Sequence, residues 1–131
     1  VYGVLDPAEG RLAYANCGHA PPIHVLADGR FSKLTTGGPP LGLLAGARYL
    51  AGEVTLSPGD LLLLFTDGVV EAEDPAGREF GVDRLAAVAS AVRRLPSAEI
   101  VSAIVRETAE YCESTDYADD FTLLALKRLP E

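Results

Sequence analysis

Residues Leu61 to Phe65 form an unbroken apolar run that ends abruptly at Thr66-Asp67-Gly68. A run of this length predicts a strand that is buried on both faces, because it is too short to cross a membrane as a helix. Asp67 would then lie at the rim of the core, where its carboxylate can reach water, a metal ion or a substrate. Mg²⁺ and Mn²⁺ prefer such hard oxygen ligands, although an Asp-Gly pair is also typical of a turn that only ends a strand.

The composition indicates one globular domain over residues 1–131, since 48% of the residues are hydrophobic and 23% are charged. A net charge of −8 argues against a nucleic-acid surface, which needs Lys and Arg to neutralise phosphates. No apolar stretch is long enough for membrane insertion, and none resembles a signal peptide, so we expect a soluble, cytoplasmic protein. Cys17 and Cys112 have no zinc-type spacing and are expected to be buried, unpaired thiols.

The first half of the chain alternates short apolar runs with turn residues, which predicts strands. Residues 36–46 are rich in Gly and Pro and should be irregular, with their leucines lying across the core. His24 alternates within its strand and is expected to be exposed. The predicted strands cover residues 2–5, 11–15, 23–26, 31–34 and 48–56.

The second half predicts two amphipathic helices and a final strand. The first helix should cover residues 82–95, and the second should run from Ser97, as its N-cap, to Cys112. One side of the second helix would carry Ile100, Ile104, Val105, Thr108 and Tyr111. A polar connection over residues 113–118 then leads to Asp119-Asp120 and to a buried strand over residues 121–127.

Acidic residues stand at the end of one apolar strand and at the start of another. Asp67 follows the first strand, and Asp119 and Asp120 precede the last. If these strands are antiparallel neighbours, the three carboxylates lie at the same edge of the sheet. Clustered carboxylates repel one another, and a divalent cation relieves that repulsion, although an Asp-Asp pair also suits a solvated turn.

Six segments carry a resemblance to a known family. In chain order they are Asn16-Cys17-Gly18-His19-Ala20-Pro21-Pro22, Pro40-Leu41-Gly42, Pro58-Gly59-Asp60, Phe65-Thr66-Asp67-Gly68-Val69-Val70-Glu71-Ala72, Phe80-Gly81 and Asp119-Asp120-Phe121-Thr122-Leu123. Together they resemble the metal-dependent protein phosphatases (PPM), in the bacterial branch of the sporulation stage II protein E phosphatase and RsbU. The resemblance implies an α+β fold, in which a sandwich of two β-sheets is flanked by α-helices.

The resemblance also implies a Ser/Thr protein phosphatase that uses two Mn²⁺ or Mg²⁺ ions to activate water, with no covalent nucleophile. Its catalytic metal ligands would be Asp67 and Asp119, and its substrate would be a phosphorylated regulator of the anti-anti-sigma type. His19 could assist proton transfer to the leaving oxygen, although a packing or hydrogen-bonding role is the alternative. Supporting positions around the metal ligands would be Asp120, Asn16, Gly18, Gly68 and Thr66.

The chain departs from the family pattern in one respect, because it lacks the earlier Asp-x-x-Gly-His-Gly segment that supplies further metal contacts. It therefore resembles the C-terminal two-thirds of the domain, with the N-terminal part missing. We expect weak metal binding and little activity from these residues alone. The missing strands would leave a sheet edge exposed, through which two copies could pair. The alternative is a non-catalytic module that binds a regulator on the same scaffold.

Overall fold

The computed structural model describes residues 1–115, 117 and 119–130, which form two β-sheets and a layer of helices. The strands are β1 (Tyr2–Asp6), β2 (Arg11–Cys17), β3 (Ile23–Val25), β4 (Phe31–Lys33), β5 (Gly37–Gly38), β6 (Gly52–Thr55), β7 (Leu61–Phe65) and β8 (Leu123–Lys127). The helices are α1 (Asp67–Val70), α2 (Val82–Val92) and α3 (Ser97–Cys112). The predicted α+β class with two sheets is confirmed.

β7 lies inside the second sheet, whose strand order is β4-β3-β7-β8. Both of its neighbours are antiparallel to it, and across the β7–β8 pair Phe65 faces Leu123 while Leu61 faces Lys127. The strand is buried except for the half-buried Leu64, as its apolar run predicts. The end of β7 and the start of β8 therefore meet at one edge of the sheet, which we call the acidic edge because Asp67 and Asp119 flank it.

Alternate side chains of β7 enter two different cores. Leu61, Leu63 and Phe65 pack in the larger core, which the second sheet forms with α2 and α3. Leu62 and the half-buried Leu64 instead face the first sheet, where Leu12, Tyr14, Leu34 and Leu56 complete a smaller core. β7 thus joins three layers, and this packing on both faces explains why its apolar run is unbroken.

The first sheet is built around β2, which pairs with β1 and β6 in antiparallel fashion and with β5 in parallel. Every residue of β1 but Asp6 is exposed, including Tyr2 at 69% and Val4 at 57%. Among the described residues, α2 and α3 cover only the second sheet. The predicted sandwich of two sheets is therefore present, and the described helices flank it on the side of the second sheet. β1 is an uncovered edge strand of the first sheet.

The two longer helices follow their apolar periodicity closely. α3 has the predicted bounds, although Pro96 rather than Ser97 is its N-cap and no side chain caps it. α2 ends at Val92, three residues before the predicted limit. Of the residues predicted along one side of α3, Ile100, Ile104 and Thr108 are buried, whereas Val105 is 38% exposed.

Three further predictions were wrong about burial. The leucines of the irregular segment do not lie across the core, since Leu41, Leu43 and Leu44 are each at least 59% exposed. β8 is only partly buried, because it is the edge strand of its sheet. Cys17 and Cys112 are free thiols but are half-buried rather than buried. Separately, the predicted strand over residues 48–56 was too long, because only β6 forms there.

His24 was expected to be exposed, but only 4% of it is accessible. Its Nε2 lies 2.9 Å from Oδ2 of Asp60, which is itself 2% exposed. The same carboxylate accepts hydrogen bonds from the backbone N–H groups of Ala27 and Ser57. This buried network lies at the end of the second sheet opposite the acidic edge, where it ties β3 and its following turn to the start of β7.

Arg128 joins the two sheets at that same opposite end. Its Nη1 donates to the carbonyls of Glu9 and Leu56, and its Nη2 donates to the carbonyl of Ala8. Gly10, with φ at +70°, leaves the space that the guanidinium occupies. The end of β8 is thereby fastened to the β1–β2 turn.

Candidate active site at the acidic edge

Thr66 links the two segments that form the acidic edge. Its hydroxyl donates a 2.6 Å hydrogen bond to the carbonyl of Asp120 and accepts one from the backbone N–H of Thr122. Its own N–H donates to the carbonyl of Thr122. The Thr66 side chain therefore holds the Asp119-Asp120 segment at the end of β7, directly before Asp67.

Gly68 allows the same two segments to touch. A Cβ atom at this position would lie 2.5 Å from the carbonyl oxygen of Asp120 and 3.1 Å from that of Asp119. Both of these neighbours are backbone atoms, which cannot rotate away as a flexible side chain would. Only glycine permits α1 to begin this close to the second acidic segment.

Replacing Gly68 with alanine should therefore force the Asp119-Asp120 segment away from Asp67. We expect a loss of about 1–3 kcal/mol in the free energy of unfolding, the usual cost of overpacking a tight contact. Urea unfolding followed by circular dichroism measures it. Gly3→Ala is the matched control, because the nearest atom to its new Cβ is a movable side-chain methyl of Leu12 at 3.1 Å. Equal midpoints for the two variants would contradict the contact.

The carboxylates of the acidic edge are accessible to solvent. Asp67, Asp119 and Asp120 are all exposed, and Oδ1 of Asp119 accepts the N–H of Asp120 at 2.7 Å. Within the described ranges, no group of three or more His, Cys, Asp or Glu side chains is arranged to hold a metal ion. Asp67 and Asp119 flank this edge with hard-oxygen groups, which suit Mg²⁺ or Mn²⁺ in type but do not make a complete site within the described residues.

A second loop is shaped by Asn16, at the end of β2. Its amide Nδ2 donates to the carbonyl of His19, and its Oδ1 accepts the N–H of His19, each at 2.9 Å. Gly18 inside this loop has φ at +81° and packs against the ring of Pro40. Asn16 is buried, so its side chain serves as the internal support of the loop.

His19 lies near the end of β7. Together with Thr66, Thr122 and Phe65 it lines a cavity of about 170 Å³. Nδ1 of His19 is 2.9 Å from the carbonyl of Ala20, which can only accept a hydrogen bond, so Nδ1 carries the proton of the neutral ring. Nε2 is then the nitrogen that retains a lone pair for other partners.

An acidic cavity adjoins Asp119 on the other side of Gly68. It has a volume of about 360 Å³, and its lining includes Glu71, Glu73 and Glu79. The hydroxyl of Tyr117 is buried and has no hydrogen-bond partner among the described residues. No sequence pattern predicted this cavity. Glu71 belongs to one of the six segments that resemble the family. Glu79 lies outside them and reaches the cavity because residues 73–79 form a hairpin, in which Glu73 faces Glu79.

That hairpin is held by Asp74, which is 9% exposed. Its carboxylate accepts hydrogen bonds from the backbone N–H of Arg78 and Ala76 and from the Arg78 guanidinium. These bonds, led by the backbone N–H of Arg78, lower the pKa of the Asp74 carboxyl from its usual range. The pKa of the nearby Cys112 thiol is instead raised, mainly by burial. The hydrogen bonds of Asp74 therefore support the hairpin beside the cavity, and the raised pKa makes the Cys112 thiol a poor nucleophile.

The two packed sheets, the helices on one face and the paired acidic segments define a PP2C-type phosphatase domain of the metal-dependent protein phosphatase (PPM) class. More narrowly, the chain belongs to the family described as Stage II sporulation protein E (SpoIIE), whose sequence model matches residues 1–129. The resemblance drawn from the six segments is confirmed.

Individual relatives agree with this assignment. Protein IcfG of Synechocystis sp. is 30% identical over 127 residues, which cover 97% of this chain and 20% of IcfG. Phosphoserine phosphatase RsbP of Bacillus subtilis is 30% identical over 71 residues, 54% of this chain and 18% of RsbP. The crystal structure of the RsbU and RsbW domains of Rv1364c from Mycobacterium tuberculosis is 33% identical, with a TM-score of 0.75 over 97% of this chain and 35% of that one.

The chain therefore spans about a fifth of the curated relatives' length and about a third of that solved structure. None of the helices in the described part of the chain is long and apolar enough to cross a membrane.

Proposed function

We propose that these residues form the C-terminal part of a metal-dependent protein serine/threonine phosphatase domain. The observation that carries the proposal is the acidic edge, where Thr66 and Gly68 hold the segments of Asp67 and Asp119 together. Membership of the SpoIIE family supports the reaction class. The relatives are longer than this chain, which covers 20% of IcfG and 35% of the solved chain with the RsbU and RsbW domains.

In this proposal Asp67 and Asp119 are the metal ligands that this part of the domain contributes. Two Mn²⁺ or Mg²⁺ ions held there, with further ligands from upstream, would supply an activated water and neutralise the phosphoryl oxygens. Asp120 and Thr66 orient the second acidic segment, and Gly68 allows its close approach. Asp120, Thr66 and Gly68 therefore act indirectly, because they set the positions of the two metal ligands.

His19 is proposed to lie beside the leaving group. The hydrogen bond from Nδ1 to Ala20 fixes the ring, and the cavity that it shares with Thr66 places it near the acidic edge. In this role Nε2 would also carry a proton and would donate it to the departing Ser or Thr oxygen, which leaves the ring neutral with its proton on Nδ1. Asn16 and Gly18 shape the loop that presents this ring. The alternative for His19 is the purely supporting role that its hydrogen bond to Ala20 already fulfils.

We propose a cytoplasmic phosphorylated regulator of the anti-anti-sigma type as substrate. Two relatives support this choice: one is named a phosphoserine phosphatase, and in another an RsbU domain is solved with an RsbW domain. The exposed edge of β1 would pair with an upstream strand of the same domain or with a second copy of the chain.

The test compares the protein at its full natural length with residues 1–131 alone, using a phosphoserine peptide and released phosphate as the readout. We expect Mn²⁺-dependent turnover from the full protein, abolished by a chelator and restored by added Mn²⁺. Residues 1–131 should show little turnover, and calorimetry should detect no binding at micromolar Mn²⁺. A full protein that is inactive at every Mn²⁺ concentration would refute the phosphatase.

A non-catalytic module that binds a regulator is the second candidate. The observation in its favour is that no group of three or more His, Cys, Asp or Glu side chains within the described ranges could hold a metal ion. This function predicts that the full protein binds its regulator without releasing phosphate from it. The same phosphate-release assay therefore separates the two candidates.

A further inference from the structure

A basic cavity lies at the end of the second sheet that is opposite the acidic edge. Because β7 and β8 are antiparallel, Lys127 pairs with Leu61 at the far end from Phe65. The turn between α2 and α3 reaches the same end, where Arg93 donates to the carbonyl of Ala27 and Lys127 donates to that of Leu95. Between these elements is a cavity of about 590 Å³, a size typical of ligand sites.

Positive charge is concentrated around this cavity. Arg93, Arg94 and Lys127 line it, and Arg128 lines the adjoining cavity of about 390 Å³. These four residues are more than a third of the eleven Lys and Arg residues in a chain whose net charge is −8. The ion pairs within the described part of the chain involve none of the four.

Some of these cations keep hydrogen-bond donors that the fold does not use. Arg93 uses Nε and Nη1 on the carbonyls of Ala27 and Ser90, and its charge also acts on Asp28. Lys127 donates one of its three N–H groups to Leu95. Arg94 is exposed and makes no hydrogen bond or ion pair with the described residues. The cavity thus offers donors that remain free for an anion.

Apolar side chains border the same cations. Leu129, which is 69% exposed, lines both cavities, and Pro96 and Pro130 line the larger one. Leu95, beside Pro96, is 38% exposed. Leu129 therefore offers an apolar contact between the two cavities. The cations around it offer charge-assisted hydrogen-bond donors on the same small surface.

We propose that this basic cavity binds an acidic peptide segment of a partner protein, with an apolar side chain of the segment resting on Leu129. Asp or Glu residues of the segment would pair with Arg94, Lys127 and the free part of Arg93. The site is separate from the acidic edge, so a bound segment leaves the reaction site open. Such a segment would anchor or regulate the phosphatase domain rather than compete with its substrate. This consequence rests on the proposed function, whereas the binding of the segment does not.

Charge complementarity favours a short acidic segment over an extended polyanion. Nucleic acid or an anionic membrane would bring many negative charges against the whole molecule, which carries −8. A few carboxylates confined to the cavity meet only its local positive field, within about one Debye length of 8–10 Å. The concave shape also suits one inserted side chain better than a flat bilayer.

The test uses fluorescence anisotropy with the protein at its full natural length. The probe is a short labelled peptide of Asp, Glu and Leu, and its control has every acid replaced by the matching amide. We expect saturable binding of the acidic peptide only, which weakens as salt is added. Arg94→Glu should reduce the affinity about tenfold, as loss of a close charge pair does. Arg48→Glu is the matched control, because it makes the same charge change at an exposed arginine outside both cavities.

Three outcomes would overturn the proposal: no saturable binding of the acidic peptide, equal binding by the Arg94→Glu and Arg48→Glu variants, or binding of the amide peptide with equal affinity. Anionic phospholipid vesicles and duplex DNA are measured alongside, and either binding more tightly than the peptide would assign the cavity to a polyanion instead. Phosphate release by the same samples separates this result from the proposed function. An active protein that ignores the peptide refutes only the cavity, and an inactive one that binds it refutes only the phosphatase.

Discussion

Asp67→Ala should reduce Mn²⁺-dependent turnover by the full-length protein roughly a thousandfold, which corresponds to about 4 kcal/mol of lost transition-state stabilisation. The reason is that Asp67, directly after β7, is one of the two metal ligands proposed at the acidic edge. Without it, a divalent ion at this edge loses a charged ligand and the phosphoryl oxygens lose part of their neutralising charge. Released phosphate, measured at saturating peptide, gives the rate directly.

The same substitution should leave the fold nearly unchanged. The Asp67 side chain is exposed and makes no hydrogen bond within the described ranges, and only its carbonyl is used, by the N–H of Glu71. Asp83→Ala is the matched control, because Asp83 is also an acid in the first turn of a helix and its side chain is 91% exposed. Equal rates for the two variants would remove Asp67 from the mechanism.

A double-mutant cycle sharpens the test. If Asp67 and Asp119 hold the same ions, Asp119→Ala in the Asp67→Ala background should cost much less than it does alone, since the site is already lost. Fully additive losses would mean that the two carboxylates act independently and that the acidic edge is not one site.

The sequence predicted the elements whose burial is periodic or continuous. α3 alternates apolar and polar residues at helical spacing for about four turns, and its bounds followed from that pattern and from Ser97 at its start. β7 was predictable because both of its faces are buried, so no polar residue interrupts it. The convergence of the acidic segments followed from one assumption, that β7 and β8 are antiparallel neighbours, and their register bears this out.

The sequence could not predict burial that depends on a distant polar partner. His24 lies in a strand with all three residues buried, and it is tolerated there because Asp60, 36 positions away, supplies a carboxylate. Single-strand alternation contains no information about such a partner. The prediction for Leu41 and its neighbours was wrong in the opposite sense, because they were expected to be buried and are exposed. Apolar residues in a loop do not show whether the fold offers a surface for them to cover.

The geometry of the candidate site depends on local contacts that motif matching does not describe. The matched segments identified Asn16 and Thr66 but not their tasks. Both side chains bond to backbone groups of neighbouring segments, Asn16 to His19 and Thr66 to Asp120 and Thr122. Side-chain to backbone bonds of this kind depend on chain conformation, so they became visible only with coordinates.

Asp60→Ala should destabilise the chain by about 3–5 kcal/mol, the largest stability change that the structure predicts for a single carboxylate. The side chain is 2% exposed and accepts hydrogen bonds from the N–H groups of Ala27 and Ser57, while its Oδ2 is 2.9 Å from Nε2 of His24. Removing it leaves the buried imidazole of His24 and two part-buried backbone N–H groups without their partner. Since whole domains unfold for about 5–15 kcal/mol, urea unfolding should show a large fall in the midpoint.

Two further variants distinguish a buried network from a simple loss of packing. Asp60→Asn keeps the size of the side chain but turns one acceptor into a donor that faces other donors, so it should recover little of the lost stability. His24→Phe in the Asp60→Ala background removes the orphaned imidazole and should recover part of it, because replacing both partners by apolar groups costs less than removing one. If Asp60→Asn were as stable as the unaltered chain, the carboxylate charge would not be what holds β3 to the start of β7.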